Sequence, residues 1–237
     1  MIPDQIVAIV PAFNRADSVA ATVAALLELD DVSGVVVVDD GSSDDTAARA
    51  AESGARVVVL EQNQGKAAAV RAGWITTDAP ILLLVDSDTG ATAAEAVALI
   101  PPVVGGHLDM SIAVLPSAGG RGGFGLVKNF AANVLKQGTG ADFAAPLSGQ
   151  RCLRSEVMSA LGPVDRFGLE VALTLDAATA GFRVGEVEAG FDHHHTGRTL
   201  AGFRHRFRQG RDLYRAGSSR IGHRAMLRAL TTSLRAR

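Results

Sequence analysis

The sequence predicts an α/β protein: a mainly parallel sheet with helices on both faces, followed by a basic helical tail. Three observations predict it. Short runs rich in Val, Ile and Leu at 6–12, 34–38 and 81–85 lack polar alternation, as strands buried on both faces do. Alanine-rich segments of helical composition separate them, long enough to serve as crossovers between parallel neighbours. Each run ends in a polar cluster, Pro11-Ala12-Phe13-Asn14, Asp39-Asp40-Gly41-Ser42 or Asp86-Ser87-Asp88. Parallel strands put such clusters at one edge of the sheet, where open α/β folds bind ligands.

Taken in order, the strand at 6–12 leads into a helix at 18–27 with Ser18 as its cap. The β-branched run at 34–38 turns through an acidic glycine loop into a helix reaching Ser53, and Gly54 closes that helix. A third strand covers 57–60. Gln62-Asn63-Gln64-Gly65-Lys66 opens the helix 67–75, and Pro80 introduces the fourth strand. A helix at 92–100 should stop at Pro101-Pro102, with a strand at 110–115 beyond it. The segment 118–125, five of whose eight residues are glycine, reads as a loop. A helix follows at 126–136, then a loop entering a strand through 144–154. Ser155 should cap a short helix ending at Gly162-Pro163. Gly168-Leu169-Glu170 begins a longer helix, Gly181 ends it, and 183–188 is a late strand. Residues 199–234 are helical in composition.

Composition narrows the function classes. An apolar fraction of 47% with 20% charged residues is that of an ordinary globular chain. Cys152 is the single cysteine, so an internal disulfide and a multi-cysteine zinc cage are both excluded. The first residues lack the basic lead of a signal peptide and no apolar run spans a bilayer, so a cytoplasmic location is expected. The net charge of −2 conceals an asymmetry: eleven arginines lie from Gly190 onward against Asp192 and Asp212. A basic tail on an acidic body suggests a phosphate-bearing partner, an acidic substrate or the inner face of an anionic membrane, ahead of nucleic acid.

The clusters carry the chemistry. Asp86 and Asp88, one residue apart at the end of an apolar strand, can converge on a hard cation such as Mg²⁺ or Mn²⁺; as a turn and helix cap alone they would be unremarkable in any fold. No Gly-x-Gly-x-x-Gly or Walker loop follows the strands, which argues against a nicotinamide or P-loop enzyme. A nucleotide read by carboxylates fits better.

The ordered series Pro11-Ala12-Phe13-Asn14, Asp39-Asp40-Gly41-Ser42-Ser43-Asp44-Asp45-Thr46, Asn63-Gln64-Gly65-Lys66 and Val85-Asp86-Ser87-Asp88 resembles the family 2 glycosyltransferases of GT-A fold. The resemblance implies that Asp39 or Asp40 holds the nucleoside and that Asp86 and Asp88 ligate the metal bridging the diphosphate. Pro11, Ala12, Asn14, Lys66 and Ser87 belong to the same nucleotide-sugar site. The second half resembles the actinobacterial glucosyl-3-phosphoglycerate synthases, through Gly120-Arg121, Pro146-Leu147-Ser148-Gly149-Gln150, Gly168-Leu169-Glu170-Val171 with Asp176, and His193-His194-His195 with Arg198. By that likeness Arg121 and Arg198 meet the acceptor, Ser148 and Gly149 lie near the donor, Glu170 sits at the reacting hydroxyl, and His193 completes the metal shell with His195 as substitute. The glycines after Arg121 replace the acceptor motif of those synthases, so the acceptor is the less determined half.

The expectation is therefore a metal-dependent hexosyltransferase using UDP-glucose on an acceptor hydroxyl of a phosphorylated acid. Residues 1–198 would form the transferase domain, 1–115 its nucleotide half and 116–198 its acceptor half, with 199–237 the tail. Alternatives are a polyprenyl-phosphate transferase held at a membrane by the tail, where Phe203, Phe207, Leu213 and Tyr214 interleave with arginines, and a non-catalytic sugar-nucleotide binder. The tail could equally pack on the sheet or on a second subunit, which leaves a homodimer open. A nucleotidylyltransferase lacks its glycine- and arginine-rich first loop here.

Overall fold

The structure, a computed structural model, describes residues 6–115, 125–164, 168–191 and 200–235. Their elements are β1 (Ile6–Ala12), α1 (Val19–Leu27), β2 (Val32–Asp39), α2 (Thr46–Glu52), β3 (Arg56–Val59), α3 (Lys66–Trp74), β4 (Ile81–Leu84), a 3-10 segment (Gly90–Leu99), α4 (Ile100–Val104), β5 (Met110–Val114), α5 (Gly125–Thr139), β6 (Arg151–Arg154), α6 (Ser155–Ala160), α7 (Leu169–Thr179), β7 (Val184–Glu188) and α8 (Leu200–Arg235).

Seven described strands form one sheet in the order β3-β2-β1-β4-β6-β5-β7. All pairs are parallel except those of β6, which runs antiparallel between β4 and β5 with Leu83 opposite Cys152. The mainly parallel α/β architecture read from the sequence is the one observed. Period-two alternation sorts the sheet into two cores. Ala8, Val10, Val37, Leu83 and Cys152 face α1 and the 3-10 segment; Ile9, Val36, Val38, Leu82, Leu84 and Met110 face α3, α6 and α7. Gly73 lets α3 lie close on this second face, since a Cβ there would stand 2.7 Å from Ile9. A third cluster joins Val134 and Leu135 of α5, Val171 and Leu175 of α7, and Leu213 and Met226 of α8.

The central strand β1 has β2 on one side and β4 on the other, so the chain reverses its winding there. Open α/β sheets bind their ligands beyond the carboxyl ends of the strands at such a switch point, and the three polar clusters follow the carboxyl ends of β1, β2 and β4.

Several local expectations are corrected. Residues 90–99 wind as a 3-10 segment, and Pro101-Pro102 open α4 rather than stopping a helix, because proline lacks only an N–H that the first turn leaves unpaired anyway. Ser18 occupies the cap position of α1 but makes no side-chain cap bond. Ser155 is the first residue of α6, not its cap, and its hydroxyl accepts from Trp74 Nε1 at 2.8 Å. The tail is two helical segments, 200–221 and 223–235, broken at Gly222 (φ 77°, ψ 159°). They fold back on each other: the Tyr214 hydroxyl lies 3.2 Å from His223 Nδ1, and Gly217 makes room for Met226. Arg220 clamps the tail to the body, pairing Nε and Nη2 with the two oxygens of Asp176 at 2.7 Å each. Asp176 Oδ2 also accepts the Gly162 N–H at 2.9 Å. Leu213 is buried against α5 and α7, so it is not a membrane-facing residue.

Candidate functional site

The loop after β1 and the loop after β2 are tied together before any ligand is considered. Asn14 takes a left-handed backbone (φ 51°), a conformation asparagine tolerates better than most residues. Its N–H donates to Ser42 Oγ at 2.9 Å, and its Oδ1 accepts the Ser43 N–H at 2.9 Å. The Arg15 and Ala16 N–H groups donate to Thr46 Oγ1 and Asp44 Oδ2. The Thr46 hydroxyl, donating to Asp44, holds that carboxyl below its ordinary range against the smaller opposing effect of burial. Asn14 thus anchors the second loop with its side chain.

Asp39 and Asp40 are both buried but differently employed. Asp39 Oδ1 accepts the Ser42 N–H at 2.9 Å and shapes the turn. Asp40 accepts the Gln64 and Gly65 N–H groups at 2.7 Å, one on each oxygen, so it fixes the loop that launches α3. Gly41 sits between these loops at φ 72°, where a Cβ would come within 2.7–2.8 Å of the Gln62 and Asn63 backbone. Only glycine fits that approach.

Asp86 leaves β4 into a turn held from several sides. Its N–H donates to Gln150 Oε1 at 2.8 Å, and Gln150 Nε2 donates to Asp86 Oδ2 at 2.9 Å. Gln150 is fully buried, so this two-point clamp fixes the carboxylate plane. The Thr22 hydroxyl, on α1, lies 3.1 Å from the Ser87 carbonyl and accepts the Gly90 N–H at 2.9 Å. Gly149 lies against the same carboxylate: a Cβ there would meet Asp86 Oδ2 at 2.5 Å and Oδ1 at 2.8 Å. Asp88, on the far side of the turn, has Arg15 Nη2 at 3.7 Å from its Oδ2.

Lys66 joins the two halves of the site. From the first turn of α3 its Nζ reaches Asp86 Oδ1 at 2.5 Å and Glu170 Oε1 at 2.8 Å. Its side chain keeps only 26% of its exposure. Burial alone would lower its pKa, but the Asp86 and Glu170 charges outweigh burial and hold the ammonium above the ordinary lysine range. Glu170 sits in the first turn of α7, where the helix dipole favours an anion. Behind it Arg151 is buried on β6, with Nη1 donating to Thr174 Oγ1 and Nε to the Ser148 carbonyl, both at 3.0 Å. Burial lowers the Arg151 pKa to about 10, partly offset by the Glu170, Asp86 and Glu186 charges. Arg151 thereby links the Ser148-Gly149 turn to the helix bearing Glu170.

Asp39, Asp40, Lys66, Asp86, Ser87, Asp88, Ser148, Gly149 and Glu170 therefore lie in one bonded neighbourhood, with Pro11, Ala12 and Asn14 at its first loop. Arg121, His193, His195 and Arg198 lie outside the described residues. Among the described residues no group of three or more His, Cys, Asp or Glu side chains converges to hold a metal. Two carboxylates on one turn still suit a cation that takes its remaining ligands from phosphate and water, as Mg²⁺ commonly does. Sequence reasoning missed Arg15, Thr22, Gln150 and Arg151. Gln150 closes the motif 146–150 but was given no role, no motif marks the other three, and the partners stand far along the chain, 64 residues away for Gln150.

Residues 7–125 match the family model described as Glycosyl transferase family 2. The chain belongs to that family. It is a glycosyltransferase, and its sheet is of the GT-A type. No curated protein matches the sequence. Among solved structures, the glucosyl-3-phosphoglycerate synthase of Mycobacterium tuberculosis in complex with phosphoglyceric acid is 25% identical, with a TM-score of 0.77 over 92% of this chain and 80% of that one. The same synthase with Mn²⁺, UDP-glucose and phosphoglyceric acid gives 25% identity and a TM-score of 0.76, and with Mg²⁺ and UDP 25% and 0.78; both cover 92% of this chain and 80% of theirs. Among the described residues no helix is long and apolar enough to cross a membrane.

Proposed function

We propose that this glycosyltransferase moves glucose from UDP-glucose to a hydroxyl of a small phosphorylated acid, with Mg²⁺ or Mn²⁺ at the donor diphosphate. The observation that carries the reading is the Lys66 bridge between Asp86 and Glu170. It sets the candidate metal carboxylate of the donor half beside a carboxylate of the acceptor half, within the reach of one ammonium. Synthases of the same fold bind the same set of ligands, which supports the choice of donor, cation and acceptor class.

Asp86 and Asp88 would hold the cation, with His193 or His195 adding a nitrogen ligand. When bound, such a cation neutralises charge on the leaving diphosphate. The chain's own residues do the rest. Asp39, which commits one oxygen to its turn, reads the nucleoside beside Pro11, Ala12 and Asn14, while Asp40 holds the loop that aims Lys66. Ser148 and Gly149 lie near the donor sugar, and the bare backbone of Gly149 leaves room for the Asp86 carboxylate and the Lys66 ammonium. Glu170 positions the acceptor hydroxyl, as general base in an inverting transfer or as orienting group in a retaining one. Arg121 and Arg198 supply positive charge for the acceptor phosphate.

The test is UDP release from UDP-glucose with Mn²⁺, with and without glyceric acid phosphates. Wild type should release UDP faster with the acceptor, and Asp88→Ala should lose the release. Equal rates in the two proteins would overturn the metal assignment. A second reading, a lipid-phosphate acceptor, draws on the exposed Arg224, Leu227, Arg228 and Leu230 of the last helical segment. Under that reading the protein sediments with anionic vesicles and glucosylates polyprenyl phosphate in preference to the phosphorylated acids.

A further inference from the structure

Both carboxylates of the Asp86-Ser87-Asp88 turn already carry a cation of the chain, and the two cations come from different loops. Lys66 Nζ stands 2.5 Å from Asp86 Oδ1 and 2.8 Å from Glu170 Oε1. Arg15 Nη2, from the loop after β1, stands 3.7 Å from Asp88 Oδ2. We propose that Lys66 and Arg15 are exchangeable counter-ions: each holds one metal-site carboxylate until the divalent cation and a nucleoside diphosphate enter together, so that the two ligands bind cooperatively. The inference rests on the donor-site reading above and adds Arg15 to that site.

The argument is one of charge. An ammonium in contact with a carboxylate oxygen occupies a lone pair and repels a second cation approaching the same atom. A divalent cation arriving alone must therefore displace Lys66 from Asp86, in a place where three-quarters of the lysine side chain is withdrawn from water and screening is weak. A cation arriving with a diphosphate brings new anionic oxygens within reach of the displaced ammonium and guanidinium, which offsets the loss. Glu170 makes the exchange practicable: Lys66 can let go of Asp86 while keeping its second carboxylate. Gln150 and Thr22 hold the turn throughout, because their bonds go to the Asp86 N–H, the Asp86 Oδ2 and the backbone of Ser87 and Gly90. Arg15 has the smaller share, since its pair with Asp88 is longer and more exposed, with 41% and 30% of the side chains open to solvent, and such pairs are weak.

Coupling of this kind is reciprocal and commonly amounts to about 5-fold to 150-fold. Mn²⁺ binding is read directly from the loss of the free-ion electron paramagnetic signal, alone and with saturating UDP, in wild type, Lys66→Met, Lys66→Arg and Arg15→Met. Wild type should bind Mn²⁺ at least about 10-fold more tightly with UDP than without. Lys66→Met should bind Mn²⁺ alone several-fold more tightly than wild type and lose most of the UDP effect. Lys66→Arg, which keeps the charge, should retain it. Arg15→Met, at an exposed position, should tighten Mn²⁺ alone by about 2-fold and decides the matter if Lys66→Met does not fold. Equal or weaker Mn²⁺ binding by the neutral variants overturns the exchange while leaving the donor-site reading intact. A wild type that binds neither Mn²⁺ nor UDP overturns both.

Discussion

The loops at the carboxyl ends of β1, β2 and β4 and the carboxyl-terminal helices are held together by different means. Around the carboxyl ends of β1, β2 and β4, loops are fixed by polar bonds between short side chains and backbone: Asn14 to Ser43, Asp40 to Gln64 and Gly65, Gln150 to Asp86. Around α5, α7 and α8 the elements are joined chiefly by apolar packing, with the part-buried pair of Arg220 and Asp176 and the Asn133–Ser233 bond beside it. A polar scaffold can aim groups at a ligand but adds little net stability per bond. Apolar packing mainly stabilises, and it reaches the site through α7, whose first turn carries Glu170. Substitutions in the first region should therefore show in ligand binding and turnover, and those in the second in unfolding.

The largest effect expected is that of Asp86→Ala. Losing cation stabilisation of a leaving diphosphate should slow UDP release by about a thousandfold, equivalent to about 4 kcal/mol, and a thermal melt should show a fall in midpoint that corresponds to about 1–3 kcal/mol, because the buried Gln150 amide loses its acceptor. Next comes Asp176→Ala in the other region. Its removal leaves Arg220, only 10% exposed, without its carboxylate and the Gly162 N–H without its acceptor. The cost should be about 3–5 kcal/mol in chemical denaturation, with little change in UDP affinity. A smaller and more selective change is Gly149→Ala, whose methyl would press on the Asp86 carboxylate. It should weaken Mn²⁺ binding about 10-fold in titrations while the melt stays near wild type. If Asp176→Ala abolished turnover in a folded protein, the division between the regions would be wrong.

Two further effects are smaller still. Asp109 accepts from Arg183 through both oxygens, and these bonds, more than the opposing burial, hold its carboxyl below the ordinary value of 3.8. A depressed carboxyl contributes stability above its unfolded pKa and loses it as pH falls through the folded one. Wild type should thus lose more stability than Arg183→Ala below about pH 4, measured by urea denaturation across acid pH. Cys152 is buried between β4 and β5 and its thiol is pushed up to about 12 by burial. Iodoacetamide at pH 8 should label it only after unfolding, since the thiolate is the reactive form.

What the sequence disclosed follows the same division. Strand ends and their carboxylates were legible because period, turn residues and charge are local: Asp39, Asp86 and Asp88 stand where a buried run stops. Gly54 and Gly181 closed their helices with positive φ as expected. The groups that hold the turn were not legible: Gln150 reaches the Asp86 carboxylate only through the sheet order, which inserts β6 beside β4, and Thr22 meets the Ser87 carbonyl only because α1 packs beside that turn. Lys66 was read as part of the nucleotide-sugar site, yet its bridge to Glu170 across 104 residues has no local signal. The tail is helical as its composition indicated, but its detail was not legible: Gly222 breaks it, Arg220 turns inward to Asp176, and Leu213 and Met226 join the core.

The proposed cation site at Asp86 and Asp88 is one that a nucleoside diphosphate completes. Calorimetric titration of UDP into wild type and Asp88→Ala, each with Mn²⁺ and with chelator, tests it most directly. The account predicts tight UDP binding only for wild type with Mn²⁺; the same affinity under all four conditions would contradict it.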